Sequence, residues 1–336
     1  MDGLIMRRLL LVGLAVFMAV SSGAAKAQQE IKIGVGFGIS FLPMYIVDEF
    51  KLIEKHGKSN GLDLKTSYHR FSGSGPMQDA IISGAIDMGP LGISAILTVR
   101  EKARGMPQEM LAISGVTTLP LVLITNQSNV KKLADFKSND RISMPSIVSP
   151  QMYLLQMQAE KEFGSGQHDR MKPQVISLPH PESLSALVSG STEVTAYFSP
   201  PPFTQAALKS SKVSRVLSST DIIGKASFII MGAGKKFVDA NPKIPEAVAK
   251  AVEEAAALIK NDPKQAAEIY LKREPSKMLD QAQMEAILKE YTDDFGSSVH
   301  GVQAYADFMG RLGQLKTPPK SWKEIVTPSI AQTKSD

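Results

Sequence analysis

Hydrophobic and polar positions along this chain alternate between two periods. Short apolar or alternating runs at 31–35, 63–71, 87–91, 109–115 and 119–126 predict strands, and the stretches between them carry apolar residues at helical spacing. The loop Gly36-Phe37-Gly38-Ile39-Ser40 leads into a helix over 43–56, with Pro43 suited to a first helical turn and Gly57 to a stop. Ser72-Gly73-Ser74-Gly75-Pro76 opens a helix over 77–83, and another helix starts near Ser94. Residues 129–137 read as a short connecting helix and turn, and 222–231 as a returning strand. The remainder is helical, over 245–260, 263–273, 280–291 and 302–315. Strands alternating with helices point to an α/β class with largely parallel strands.

Part of this pattern is written twice. Ala80-Ile81-Ile82-Ser83-Gly84-Ala85-Ile86-Asp87 is matched 106 positions later by Ala186-Leu187-Val188-Ser189-Gly190-Ser191-Thr192-Glu193. Each copy reads as the end of an amphipathic helix, a glycine stop and an acidic residue before the next strand. Upstream, Ile31-Lys32-Ile33-Gly34-Val35 and Pro43-Met44-Tyr45 have counterparts in Arg141-Ile142-Ser143-Met144-Pro145-Ser146 and Pro150-Gln151-Met152-Tyr153. Two copies in the same order imply two similar α/β lobes with a cleft between them. Helices alone cannot complete a sheet, so the C-terminal helices are expected on lobe one. That makes lobe one discontinuous, over 28–118 and 226–336, with 119–225 as lobe two and two strands as the hinge.

Composition narrows the setting. Arg7-Arg8, an apolar run over 9–20 and Ala25-Lys26-Ala27 have the form of a cleaved signal peptide over 1–27. The apolar run is shorter than the roughly 20 residues that span a bilayer. The chain has no cysteine, which excludes disulfides, thiolate chemistry, Cys-ligated zinc and a lipid-modified cysteine. A free soluble protein of the periplasm is expected, not a lipoprotein. Setting residues 1–27 aside removes three basic residues and one acidic residue from 38 and 33, leaving a net charge of about +3. Without clustered basic runs this gives no reason to expect a nucleic-acid partner, and it mildly favours an anionic ligand.

The sequence offers little for catalysis. Gly34, Gly36 and Gly38 follow a strand, but Ile39 stands where a dinucleotide fingerprint needs its third glycine. Gly234-Lys235 lacks the earlier glycine of a phosphate loop, where Ile229 stands, and the hydroxyl residue after the lysine, where Lys236 stands. His56, His69, His168, His180 and His300 include no pair at metal-binding spacing, and no Gly-x-Ser-x-Gly elbow occurs. No cofactor and no enzyme activity are expected. What recurs is a polar, glycine- or proline-rich loop at a helix N-terminus, where backbone N–H groups and serine hydroxyls can receive an anion. Five such loops follow strand candidates: Gly38-Ile39-Ser40, Ser72-Gly73-Ser74-Gly75, Gly92-Ile93-Ser94, 146–151 and Tyr197-Phe198-Ser199-Pro200. Ligands of open α/β sheets sit beyond the carboxyl ends of the strands, so the five should line one cleft. Each alone could equally be a cap serving its own helix. Phe37, Phe41, Tyr153, Tyr197, Phe198 and Phe203 are candidate apolar walls, and the prolines of Ser199-Pro200-Pro201-Pro202-Phe203 stiffen one rim. His180 lies 106 positions after Ser74 and is a further candidate to face the ligand.

The leader, the doubled pattern, the run Lys131-Lys132-Leu133-Ala134-Asp135-Phe136-Lys137 before lobe two and the Ser-Pro-Pro loop together resemble ABC-transporter substrate-binding proteins. The resemblance is to the NMT1/TauA-like family, whose members bind sulfonates, taurine, nitrate or thiamine precursors, and it covers 30–325. It implies a type II periplasmic-binding fold, two Rossmann-like lobes joined by two hinge strands around a ligand cleft. It also implies a small-molecule ligand, such as a sulfonate, carboxylate or nitrate, and a monomer that delivers it to an ABC permease in the inner membrane. The ligand-binding residues it implies are Gly38, Ile39, Ser40, Ser74, Gly75, Ser94, Thr117, Thr118, Ser146, Ser149, Gln151, Tyr197, Phe198 and Ser199, to which the residue pattern adds Phe41 as a wall. Sulfonate binders usually carry a tryptophan where this chain has Tyr197-Phe198, and the sole tryptophan here is Trp322. A sensory input module would read the same. Enzymes of thiamine-precursor synthesis on this fold carry a cysteine-rich motif, which this chain lacks.

Overall fold

In the computed structural model, which describes residues 28–190 and 193–332, ten strands form two five-stranded sheets. The leader expected over 1–27 lies outside the described residues. The strands are β1 Gln29–Val35, β2 Leu64–Arg70, β3 Met88–Gly92, β4 Met110–Thr117, β5 Val122–Thr125, β6 Ile142–Met144, β7 Val175–Ser177, β8 Ala196–Ser199, β9 Ser214–Ser218 and β10 Ile229–Gly234. Sheet one runs β2-β1-β3-β10-β4 and sheet two β7-β6-β8-β5-β9, the same order strand for strand. β1 is parallel to β2 and β3, and β6 to β7 and β8. The expectation of largely parallel strands is corrected in one respect: each sheet holds an antiparallel strand. β10 lies antiparallel between β3 and β4, and β5 antiparallel between β8 and β9. Each is the strand by which the chain arrives from the other sheet, so it enters from the far end.

The internal repeat is visible at atomic detail. Helices Ser74–Ser83 and His180–Ser189 have ten residues each and end on Gly84 (φ 75°) and Gly190 (φ 76°). Both glycines adopt the left-handed conformation that a side chain resists. Gly84 N–H points to the carbonyls of Ala80 and Ile81, and Gly190 N–H to those of Ala186 and Leu187.

The layers follow from which faces are apolar. Sheet one buries Ile31, Ile33, Met88, Leu91, Ile230 and Met231, each side chain contributing about 1.5–3 kcal/mol by its removal from water. The long helix Ile244–Asn261 covers this sheet with Val248, Ala251, Val252, Ala255 and Ile259, a single buried stripe at helical spacing. It lies against β4 and against the helices Leu42–Glu49 and Leu52–Ser59. The later helices pack on the helices of the same half, Pro263–Arg273 on Leu42–Glu49 and Val302–Arg311 on Ile93–Lys102.

Four local expectations are corrected. The helix expected over 43–56 is two helices, because Lys51 sits at φ 51° and breaks the ladder between them. Gly57 is not a stop but a buried position inside Leu52–Ser59, where a Cβ would come within 2.6 Å of Leu64 Cδ1. Residues 129–137 form only the single turn Leu133–Asp135, and the start of 222–231 is the end of a short helix, Ser219–Ile223, with the strand beginning at Ile229.

Candidate ligand-binding site

The carboxyl ends of the parallel strands in the two sheets face each other across a seam, and polar loops meet there. Gly73 approaches Pro145, Gly75 approaches Ser146, and Gly92 lies against Pro150 so closely that a Cβ would fall 2.3 Å from Pro150 Cδ. Ser94 Oγ donates across the seam to the Val148 carbonyl at 2.8 Å. At the next strand pair, Gly38 (φ 96°) faces the Pro201 carbonyl and the Phe203 ring. The loops after β1, β2 and β3 are thus brought against those after β6 and β8.

Most of the sequence-predicted hydroxyls are already engaged by the chain. Ser74 Oγ accepts from Gly92 N–H at 3.1 Å, and Ser146 Oγ from Val148 N–H at 3.2 Å. Ser149 Oγ donates to the Ser146 carbonyl at 2.6 Å, and Ser199 Oγ to the Val122 carbonyl at 3.1 Å. Gly75 lines the seam beside Ser146. Ile39 is fully buried, and Phe41 lies over Gly36. Thr117 and Thr118 lie at the crossing between the sheets, where Thr118 Oγ1 donates to Asp294 Oδ1 at 2.7 Å. Tyr197 and Phe198 are both fully buried, in different apolar clusters, because successive residues of β8 point to opposite faces. Neither ring forms a wall of the flanking cavity described below.

Three of the predicted residues stand out by contrast. Ser40 Oγ, Thr117 Oγ1 and both polar atoms of the Gln151 side chain are buried with no hydrogen-bond partner among the described residues. An unpartnered buried polar group costs about 1–3 kcal/mol, which a ligand's own donors and acceptors would recover. The turn Ile39–Phe41 packs on β4, which ends at Thr117, and Gln151 follows Pro150, which lies on Gly92.

Beside the seam is a cavity of about 330 Å³ walled by both halves of the molecule. Phe37, Arg70 and Glu274 bound it on the sheet-one side, and Pro181, Leu184 and Phe203 on the sheet-two side. Phe37 and Phe203 were legible in the sequence as apolar walls. Arg70, Tyr45, Tyr270 and Glu274 were not. Arg70 ends β2 one residue before the loop Ser72-Gly73-Ser74-Gly75, a position at the carboxyl end of a strand that is a usable signal. Nothing local marks Glu274, which reaches its partners across 236 positions of sequence.

Glu274 is the electrostatic centre of this flank. Its two carboxylate oxygens accept from Gly38 N–H at 3.0 and 3.1 Å, and it also accepts from Tyr270 Oη at 3.1 Å, with Tyr45 Oη at 2.5 Å. Burial pushes its pKa up from the ordinary carboxyl value, against the opposing pull of Tyr45, Gly38, Arg70 and Tyr270. His180 is held beneath the sheet-two wall, its Nδ1 2.5 Å from Tyr197 Oη and its ring stacked 5.4 Å from Phe203. Burial lowers the His180 pKa to about 3 and raises that of Tyr197, so the neutral imidazole accepts from the phenol. Among the described residues no cluster of His, Asp and Glu is arranged to hold a metal ion, and no helix is long and apolar enough to cross a membrane.

A family model described as NMT1-like matches residues 24–271. No curated protein matches the sequence. Among solved structures, the chain is similar to the alkanesulfonate-binding protein SsuA from Xanthomonas axonopodis pv. citri bound to MOPS. That likeness has a TM-score of 0.69 at 18% identity, over 88% of this chain and 96% of that one. The periplasmic nitrate-binding protein NrtA from Synechocystis PCC 6803 gives 0.69 at 14%, over 91% and 87%. The desulfurization enzyme DSZB gives 0.55 at 10%, over 90% and 98%. At these identities the likenesses establish the fold, that of periplasmic binding proteins.

Proposed function

The chain belongs to the NMT1-like family, and from that premise we propose that it is an extracytoplasmic solute-binding protein. It captures a small organic ligand, anionic in character, between two lobes and delivers it to the permease of an ABC importer. Lobe one is taken as 28–118 with 226–336 and lobe two as 119–225, the protein acting as a monomer in the periplasm after removal of residues 1–27. The similar solved structures named for sulfonate and nitrate binding support this reading. The observation that carries it is the meeting of polar loops from two facing sheets, where Ser94 Oγ donates across to the Val148 carbonyl, together with the buried, unpartnered polar atoms of Ser40 and Gln151 in those loops.

Binding is favoured over catalysis because the seam hydroxyls of Ser94, Ser149 and Ser199 donate to main-chain carbonyls rather than to a base. A hydroxyl without a base to take its proton is a weak nucleophile. The likeness to a desulfurization enzyme is one of fold and assigns no reaction here.

The test is thermal melting of the chain from Gln28 onward against nitrate, taurine, alkyl and aryl sulfonates, aromatic carboxylates and pyrimidines. A ligand at about 100 times its dissociation constant adds roughly 2.7 kcal/mol, which raises the melting temperature by several degrees. Stabilisation by one chemical class is expected. Its reduction in Ser40→Ala and Gln151→Ala places the ligand on the seam groups, and its retention in both places it in the flanking cavity beside them.

A further inference from the structure

We propose that the ligand's charged end is an organic oxyanion, a carboxylate or sulfonate, seated on Arg70, with its apolar body in the flanking cavity between Phe37 and Phe203. The proposal rests on the solute-binding reading and deepens it. It begins from the first loop. Gly38 N–H is the amide that a loop-to-helix anion site would offer, and both oxygens of Glu274 already hold it. The chain's own carboxylate stands where a ligand's oxyanion would otherwise sit, so the oxyanion needs another cation.

Arg70 is that cation. Its guanidinium lies 4.8 Å from the centre of the Phe37 ring and 5.5 Å from that of Tyr45. Nη2 donates to Tyr45 Oη at 3.2 Å. Nη1 stands 3.9 Å from Glu274 Oε1, too far for a hydrogen bond. Its remaining N–H groups make no hydrogen bond among the described residues, and its side chain is about one-third exposed, at 35%. A guanidinium has five donors in a planar fork that matches a carboxylate or sulfonate edge. Two other cations border the cavity: Arg273 is held by Asp48 at 2.9 Å and Glu49 at 3.2 Å, and Lys277, unlike Arg70, stands over no aromatic ring among the described residues. Glu274 opposes an incoming anion less than an open carboxylate would, because neutral donors surround it and burial favours its protonated form.

The wall also carries apolar side chains from both halves: Phe37 from one, Pro181, Leu184 and Phe203 from the other. A cavity of about 330 Å³ is at the small end of ligand sites and suits an aryl or short branched acid. A ligand bridging Arg70 and Phe203 touches both halves, which is what couples binding to closure.

The experiment is calorimetric titration of the full chain from Gln28 with benzoate, benzenesulfonate and the neutral isostere benzamide. At least one of the two oxyanions binds the wild type, about tenfold or more tightly than benzamide. Arg70→Gln removes that advantage, Arg70→Lys keeps part of it, and Phe203→Leu weakens acids and amide alike; a melting curve for each variant confirms folding. Retention of the advantage in folded Arg70→Gln overturns the anion seat. If some other compound of the wider panel binds the wild type while neither acid does, the ligand class falls and the solute-binding reading stands. If nothing in either set binds at about millimolar concentration, both fall.

Discussion

At the scale of single residues, two buried titratable groups near the flanking cavity pull the pH dependence of stability in opposite directions. His180 has its pKa lowered from 6.5 to about 3 by burial. Its contribution is complete above 6.5 and is lost as pH falls toward 3, by up to about 1.4 kcal/mol per pH unit for one proton. Glu274 has the reverse sign. Its pKa is raised above 4.5, so its contribution is complete below 4.5 and is lost as pH rises through the folded value. The hydrogen bonds agree with that direction. Tyr45 has one hydroxyl proton but faces two acceptors, the Gly36 carbonyl at 2.7 Å and Glu274 Oε1 at 2.5 Å. A protonated Glu274 can donate to Tyr45 Oη and leave the phenol's proton for Gly36. Tyr270, Arg70 and Arg273 complete the charged and titratable surroundings of the Glu274–Tyr45 pair. Denaturant unfolding across pH 4 to 8 should therefore show His180→Gln flattening the acid limb and Glu274→Gln, which imitates the protonated acid, flattening the loss above pH 4.5. Parallel curves for variant and wild type would mean that the two groups titrate alike in the folded and unfolded chain.

At the scale of elements, the strand and helix periods were legible wherever a run met a single environment, as in β2, β4 and Pro263–Arg273. They misled where the backbone departs from its usual region. Lys51 in a left-handed conformation splits one apolar helix into two, and nothing in its residue type announces this. The site was half legible for a related reason. Loop chemistry located the seam, but a serine in a sequence does not declare whether its hydroxyl will meet a ligand or, like Ser74 and Ser94, the chain's own backbone. Glu274 was invisible because its role depends on a contact spanning two-thirds of the chain. The doubled helix stop is the best-read feature, and it makes a quantitative demand. Around Gly84 and Gly190 nothing lies within 4 Å of an added Cβ, so replacement costs only the left-handed backbone, about 1 kcal/mol each. Gly84→Ala and Gly190→Ala should lower unfolding free energy by nearly equal amounts and add in the double variant, each capping a helix in a different half of the molecule. A cost at one copy alone would mean that the two junctions are not equivalent.

At the scale of the whole molecule, the two halves are held together by a few polar contacts in addition to the tight seam. Arg311 pairs with Glu160 at 2.8 Å, Gln205 Nε2 donates to Tyr291 Oη at 3.0 Å, and Lys209 Nζ donates to the Met278 carbonyl and Gln283 Oε1. Arg311 is 59% exposed, and an ion pair with so much water around it contributes at most about 1 kcal/mol and is screened by salt. Weak closure contacts are what the proposed capture of a ligand requires. A ligand shifts the open and closed populations only by its differential affinity for them, and halves locked by strong bonds would leave it no work and no exit. Combining Glu160→Gln with Arg311→Ala should then enlarge the radius of gyration of the ligand-free protein in solution scattering. Ligand affinity should fall by no more than about fivefold, and added salt should produce the same expansion in the wild type. Saturating ligand should return variant and wild type to the same compact profile, since the ligand's own contacts with both halves outweigh the missing pair. A variant that stays expanded under saturating ligand would instead make the Arg311–Glu160 pair a structural clasp, and binding would have to proceed without closure.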